Sequence, residues 1–305
     1  MIIYRCKIII VTFALIINSL NCFAKQVTLP NTEMKYLTSK SGVDYKLYIS
    51  LPEGYYDKEN YSYRKKYPVL YILDGDVEFA MVKNITDTMV NFGTIEPMII
   101  VGIGYKGQEL SQYNSKIFWE NYTLNRTRDY IPQELTKDVD RFMKERVDDG
   151  YQFVENHWQG EKFKTFIENE LIPNISKNYR TSGENALLGH SLGGLFASFI
   201  MLENSPAFNK YMILSPTAIN EIGIIEKISK MKKNNVKAYF AVGSLEFFKK
   251  DSMVKDLESF YQKLPNKKFT SKIEIIKDED HISIFPIAFT KGVKYLFPTQ
   301  NNKNN

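Results

Sequence analysis

The chain is 305 residues long, 44% hydrophobic and 25% charged, which excludes a disordered or collagen-like polymer and allows one large domain or two small ones. Lys and Arg number 40 against 35 Asp and Glu, a net charge of +5 that is too weak and too dispersed to argue for nucleic acid as a partner. Cysteine occurs only as Cys6 and Cys22, so thiols build neither a zinc nor a redox motif, and no metal or cofactor is expected.

At the start of the chain, Arg5 and Lys7 precede an apolar run over residues 8–17, followed by the step Cys22-Phe23-Ala24. A charged start, an apolar run of about ten and a small residue before the cut are the parts of a secretory signal peptide, so residues 1–24 read as a leader cleaved after Ala24. The run is well short of the ~20 residues needed to cross a bilayer, so no stable span is expected after cleavage. The remaining chain has no cysteine, which suits an oxidising compartment; a periplasmic or secreted location is expected.

Residues 25–299 read as one α/β domain and residues 300–305 as a disordered tail. Alternation over residues 44–51 predicts a half-buried strand, ended by Pro52-Glu53-Gly54. The continuous apolar runs at 67–73 and 98–103 predict central strands covered on both faces. Residues 106–160 are aromatic-rich and polar, fit no alternation, and read as an irregular insertion over the strand ends. Helical spacing resumes over 161–179, with Pro173 as a kink or break. Short buried strands follow at 186–188, 211–214, 238–242 and 272–276, and residues 286–297 read as a closing helix. Strands alternating with helices imply a mainly parallel central sheet flanked by helices.

The chemistry concentrates at Gly189-His190-Ser191-Leu192-Gly193, a G-x-S-x-G motif followed by Gly194. It comes straight after an apolar strand and straight before an apolar helix. That is the context in which a serine sits on a sharp, strained turn whose neighbours must be small. The helix start also offers the N–H of Leu192 to a developing oxyanion. A serine needs a base, and the histidines are His157, His190 and His281. His157 precedes the serine strand, and His190, inside the turn, projects away from Ser191 as a packing and hydrogen-bonding residue. His281 follows the last buried strand, at the active-site end of the sheet, and is the expected base. The acid should follow the strand at 238–242: Glu246 is nearest its end, with Asp251 as the alternative.

These features, with residues 67–75, 101–103, 126–132, 166–173, 179–181, 215–216, 243–246 and 280–281, span nearly the whole chain after the leader. In this order they resemble the esterases of the esterase D type within the α/β-hydrolases, and among them the periplasmic hydrolases of ferric siderophore esters of the enterobactin and salmochelin kind. The resemblance implies an α/β-hydrolase fold and a metal-independent serine esterase that forms an acyl-enzyme on a small-molecule ester. It gives Ser191 as nucleophile, His281 as base, an acid at or just after Glu246, and a second oxyanion donor at Gly75 or Asp76. The chain departs from many relatives after Ser215-Pro216, where Thr217-Ala218-Ile219-Asn220 replaces bulky aromatics. The same residues would serve a peptidase or acyltransferase, and such a fold can also persist as an inactive binding protein.

Arg126 and Arg128 stand two apart in Asn125-Arg126-Thr127-Arg128-Asp129. If the segment is extended, both share a face, and Arg126 or Arg128, or the pair, could hold an anionic part of the substrate; the alternative is that both are surface or structural charges.

Overall fold

Apolar runs with no polar face belong in the interior of a sheet, because only there are both of their surfaces covered. The strands β3 (Tyr67–Ile72) and β4 (Ile99–Tyr105) lie there with every residue buried. The computed structural model describes residues 28–58, 65–133, 158–217, 219, 235–248, 251–264 and 269–299. The expected leader and tail lie outside them, and no helix among the described residues is long and apolar enough to cross a membrane.

The other strands are β1 (Thr32–Thr38), β2 (Asp44–Ser50), β5 (Thr181–His190), β6 (Lys210–Leu214), β7 (Val236–Gly243), the short pair β8 (Phe247–Phe248) and β9 (Asp251–Ser252), and β10 (Phe269–Ile276). Eight of them form one sheet in the order β1-β2-β4-β3-β5-β6-β7-β10. β1 pairs antiparallel with β2, and β2 with β4; every other pairing, from β4 through to β10, is parallel. The parallel strands therefore end along one edge. Asp74, Ser191, Glu246 and His281 all follow the C-terminal ends of such strands, and this is where an open parallel sheet carries its site.

The helices are α1 (Gly75–Asn91), α2 (Lys116–Tyr130), α3 (Gly160–Phe166), α4 (Ile172–Asn178), α5 (Leu192–Leu202), α6 (Met253–Gln262) and α7 (Ile284–Leu296). The main core joins alternate strand residues such as Val69, Val101, Leu187, Ile213 and Phe240 to α3, α4, α5 and α6. α1 and α7 touch each other and cover the other face. Every residue of α5 from Gly193 to Leu202 is buried, so this helix is fixed by the core rather than by solvent-side contacts. Each large apolar side chain buried in this way contributes roughly 1.5–3 kcal/mol.

Three elements differ from the sequence reading, each for a physical reason. β2 is not half-buried: Lys46 on its polar face is 1% exposed because its ammonium meets Asp76 at 3.1 Å and the carbonyl of Gln108. Pro173 does not end the helix. A π-helical turn, Ile167–Leu171, joins α3 to α4 and widens the backbone where the proline has no N–H to give and would crowd the preceding turn. The insertion is not irregular in its first half, since residues 116–130 form α2. That helix has no apolar stripe. It is started by the Ser115 hydroxyl, which accepts from Phe118 N at 3.1 Å, and is held by the buried rings of Phe118, Tyr122 and Tyr130 and by the Arg126–Asp74 ion pair described below. Residues 134–157, including His157, lie outside the described residues.

Candidate active site

β5 ends at His190, and the chain turns into α5 through Ser191 with φ 58° and ψ −121°, a conformation that a non-glycine residue holds only when its surroundings enforce it. The enforcement is visible. Ser191 N–H donates to Leu214 O at 3.0 Å, and Ser191 O accepts from Leu195 N at 3.1 Å and Thr217 N at 3.2 Å. A Cβ on Gly189 would lie 2.1 Å from Gly193 O, so the turn closes only with glycine there. The Ser191 hydroxyl faces the Thr217 hydroxyl at 3.1 Å in this resting arrangement.

Glu246 and His281 are brought together by two turns stitched to each other. Ser244 N donates to Ile276 O at 2.9 Å, Leu245 N to Glu279 O at 3.0 Å, and Asp278 N to Ser244 Oγ at 2.8 Å. Asp280 Oδ1 accepts from the N–H groups of Ile282 and Ser283, both at 2.9 Å, and so shapes the turn bearing His281. These bonds hold the Asp280 carboxyl below the usual carboxylate range. His281 Nδ1 lies 2.7 Å from Glu246 Oε2. The carboxylate's other oxygen, Oε1, accepts from Ser215 Oγ at 2.6 Å and Gly243 N at 2.7 Å. With its side chain fully buried and both oxygens engaged, Glu246 has one orientation. A carboxylate at Nδ1 puts the ring proton there and leaves Nε2 free to accept one. Asp251, the alternative acid, lies in β9, and its side chain is outside what is described.

The expected oxyanion donors sit at two helix starts that meet. A Cβ on Gly193 in α5 would lie 3.2 Å from Asp74 Oδ2, the residue that precedes α1. Asp74 has φ 57°; its N–H donates to Tyr130 Oη at 2.9 Å and its carbonyl accepts from Val77 N and Glu78 N. The first-turn amides of Gly75, Asp76 and Leu192 have no protein acceptor among the described residues, the condition an oxyanion donor requires. The Asp76 side chain is spent elsewhere, on Lys46, Tyr48 Oη at 2.9 Å and Tyr105 N at 2.8 Å.

Arg126 and Arg128 do not share a face. They lie on α2, where residues two apart point about 200° from each other. Arg126 grips Asp74 with Nε at 2.7 Å and Nη2 at 3.0 Å. Arg128 grips Asp129 at 2.7 and 2.9 Å and donates to Asn125 Oδ1 at 2.9 Å. The joint anion cradle expected from an extended segment is therefore absent. In its place, Arg126 neutralises a carboxylate that would otherwise oppose negative charge at the helix starts. Sequence reasoning assigned no role in the site to four more residues around it: Thr217, Ser215, Asp74 and Glu78. The Asp74-Gly75 turn was a local signal for one of them; the others meet the site only through space.

A strained serine between a strand and a buried helix, with a histidine–carboxylate pair on the same sheet edge, defines the class of α/β-hydrolases with a serine nucleophile turn. A family model described as "Putative esterase" matches residues 38–152 and 136–283, and the chain belongs to that family. The protein is a carboxylic ester hydrolase. It is similar to the ferri-bacillibactin esterase BesA of Bacillus subtilis, 27% identical over 88% of this chain and 90% of the relative. Among solved structures it resembles the BES protein from Bacillus cereus, with a TM-score of 0.68 and 28% identity over 91% of this chain and 98% of that one. It also shares the fold of the siderophore hydrolase EstB from Aspergillus nidulans, with a TM-score of 0.71 and 20% identity over 91% and 99% of the two chains.

Proposed function

We propose that this chain hydrolyses siderophore esters outside the cytoplasm, through an acyl-enzyme on Ser191 with His281 as base and Glu246 as its acid. The reading rests above all on the 2.7 Å contact of His281 Nδ1 with the buried Glu246 carboxylate, beside a serine in a nucleophile turn. The Ser191 hydroxyl turns from Thr217 toward His281 and attacks the ester carbonyl carbon, while its proton passes to His281 Nε2. The amides of Leu192 and of Gly75 or Asp76 receive the negative charge on the carbonyl oxygen. His281 then returns the proton to the departing alcohol. Water repeats the sequence on the acyl-enzyme, releasing the acid and restoring the serine.

Siderophore esters are favoured as substrates by the similarity to a protein named a ferri-bacillibactin esterase, which extends over nine-tenths of both chains. The extracytoplasmic location is supported by the charged, apolar and small-residue pattern of residues 1–24. The test is a side-by-side hydrolysis assay with ferric and iron-free siderophore esters, a feruloyl ester and p-nitrophenyl acetate, products being identified by mass spectrometry. The highest kcat/KM is expected on a siderophore ester, with no turnover by Ser191→Ala. Preference for the feruloyl or acetyl ester would move the substrate, and turnover by Ser191→Ala would remove the nucleophile.

A further inference from the structure

His190 stands next to Ser191 in the chain, yet its ring turns away from the hydroxyl. Its Nε2 lies 2.9 Å from the main-chain oxygen of His281, and the two imidazole rings are 4.8 Å apart, tilted by 33°. The edge of Phe285, in the first turn of α7, closes the other side at 5.5 Å. The remaining nitrogen, Nδ1, faces Glu78 Oε1 of α1 at 3.9 Å, and the two side chains are only 10% and 12% exposed. We infer that His190 is a positioning residue for the base, clamping the carbonyl of His281 through Nε2–H, and that Glu78 is the partner of its second nitrogen. The inference rests on the proposed triad.

Donor and acceptor roles follow from the partners. A carbonyl oxygen only accepts, so Nε2 carries the hydrogen, and in a neutral imidazole Nδ1 is then an acceptor that needs a donor. Burial, then the neighbouring His281 and Arg126, pushes His190 down to about 3, so its ring is neutral across the working range. Burial, then Asp74, pushes Glu78 up to about 8 against the pull of Arg126, so at neutral pH its carboxyl keeps a proton to offer. Neutral acid facing neutral imidazole is the complementary pairing, and it adds no cation beside a base that becomes an imidazolium during the reaction.

The clamp matters because His281 lies on a turn, with its side chain 35% exposed. Glu246 fixes the ring through Nδ1, and His190 fixes the main chain from which the ring hangs. Since His190 and Ser191 are consecutive, the base is referenced to the nucleophile's own strand end. Misplacing a reacting group by about 1 Å costs on the order of 100-fold in rate.

The experiment measures kcat and KM on p-nitrophenyl acetate at pH 7.5, with thermal unfolding, for His190→Leu, His190→Gln, Glu78→Leu and Glu78→Gln. His190→Leu should lower kcat on the order of 10–100-fold with KM within about twofold, and His190→Gln, whose amide N–H can reach the carbonyl, should recover most of that loss. Glu78→Leu should lower kcat at least about fivefold more than Glu78→Gln, whose amide NH2 can close the 3.9 Å gap and donate to Nδ1. A folded His190→Leu enzyme with wild-type kcat, or a Gln variant as slow as the Leu variant, overturns the clamp. If His190→Leu does not fold, the two Glu78 variants decide: equal kcat values overturn it. Failure of the triad reading looks different, because the wild-type enzyme would then be inactive or Ser191→Ala active.

Discussion

Replacing Glu246 by Gln exchanges one oxygen for an NH2 group in a site where every contact is spoken for. Oε1 accepts from Ser215 Oγ and Gly243 N, and Oε2 meets His281 Nδ1. If the new NH2 faces Gly243, two donors oppose each other at 2.7 Å inside the protein, at a cost of about 1–3 kcal/mol. The amide therefore turns its NH2 toward His281. It then donates to Nδ1, which forces the ring proton onto Nε2, the nitrogen that must accept from Ser191. Wrong-tautomer variants of serine triads lose about 10⁴ in turnover while keeping their geometry. Glu246→Gln should accordingly lose about 10⁴ in kcat on p-nitrophenyl acetate, with a melting temperature within a few degrees of wild type. Asp251→Asn should stay within about twofold, because Glu246 already occupies His281 Nδ1. A folded Glu246→Gln enzyme within tenfold of wild type would refute this reasoning and leave a Ser191–His281 dyad.

Arg126→Met should cost about 3–5 kcal/mol in urea unfolding, because the Asp74 carboxyl, 3% exposed, would lose its bidentate ion-pair partner; adding Asp74→Asn should restore most of the loss. A stability unchanged by the single variant would mean that the pair does not hold the loop before α1. The pH dependence of stability has two opposed sources. His190, pushed down to about 3, contributes stability that is present above about 6.5 and lost as pH falls toward 3. Glu78, pushed up to about 8, contributes stability that is present below about 4.5 and lost as pH rises to 8. At about 1.4 kcal/mol per unit, wild type should lose about 2 kcal/mol more than Glu78→Gln between pH 6.5 and 8, measured by urea unfolding. Identical losses would show that Glu78 is already ionised at pH 6.5.

The parts of this molecule legible in the sequence are those encoded locally. The runs at 67–73 and 98–103 could only be interior strands, and G-x-S-x-G between a strand and an apolar helix specifies its own turn. The place of Glu246 just after β7 points to it as the acid, but what orients it, Ser215 Oγ and Gly243 N–H, is set by a neighbouring strand end and a tight turn. α2 was illegible because the rings it buries, Phe118, Tyr122 and Tyr130, follow no regular apolar period and its Arg126 finds its partner through space. Arg126 meets Asp74 from 52 positions away, and no apolar period announces the helix. β1 escaped for the opposite reason. It is an edge strand with Met34, Lys35 and Tyr36 exposed, so its pairing with β2 rather than its pattern makes it a strand. Lys46 read as the polar side of β2 because its partner, Asp76, lies in another element.

Covalent capture asks whether Ser191 is the activated nucleophile of this esterase. The intact protein is treated with a fluorophosphonate, digested and mapped by mass spectrometry while p-nitrophenyl acetate hydrolysis is followed in parallel. A single phosphonyl adduct on Ser191 is expected, with loss of hydrolysis in step with its formation, and neither labelling nor hydrolysis in Ser191→Ala. Hydrolysis that persists with Ser191 fully labelled, or an adduct on another residue that tracks the loss, would contradict it.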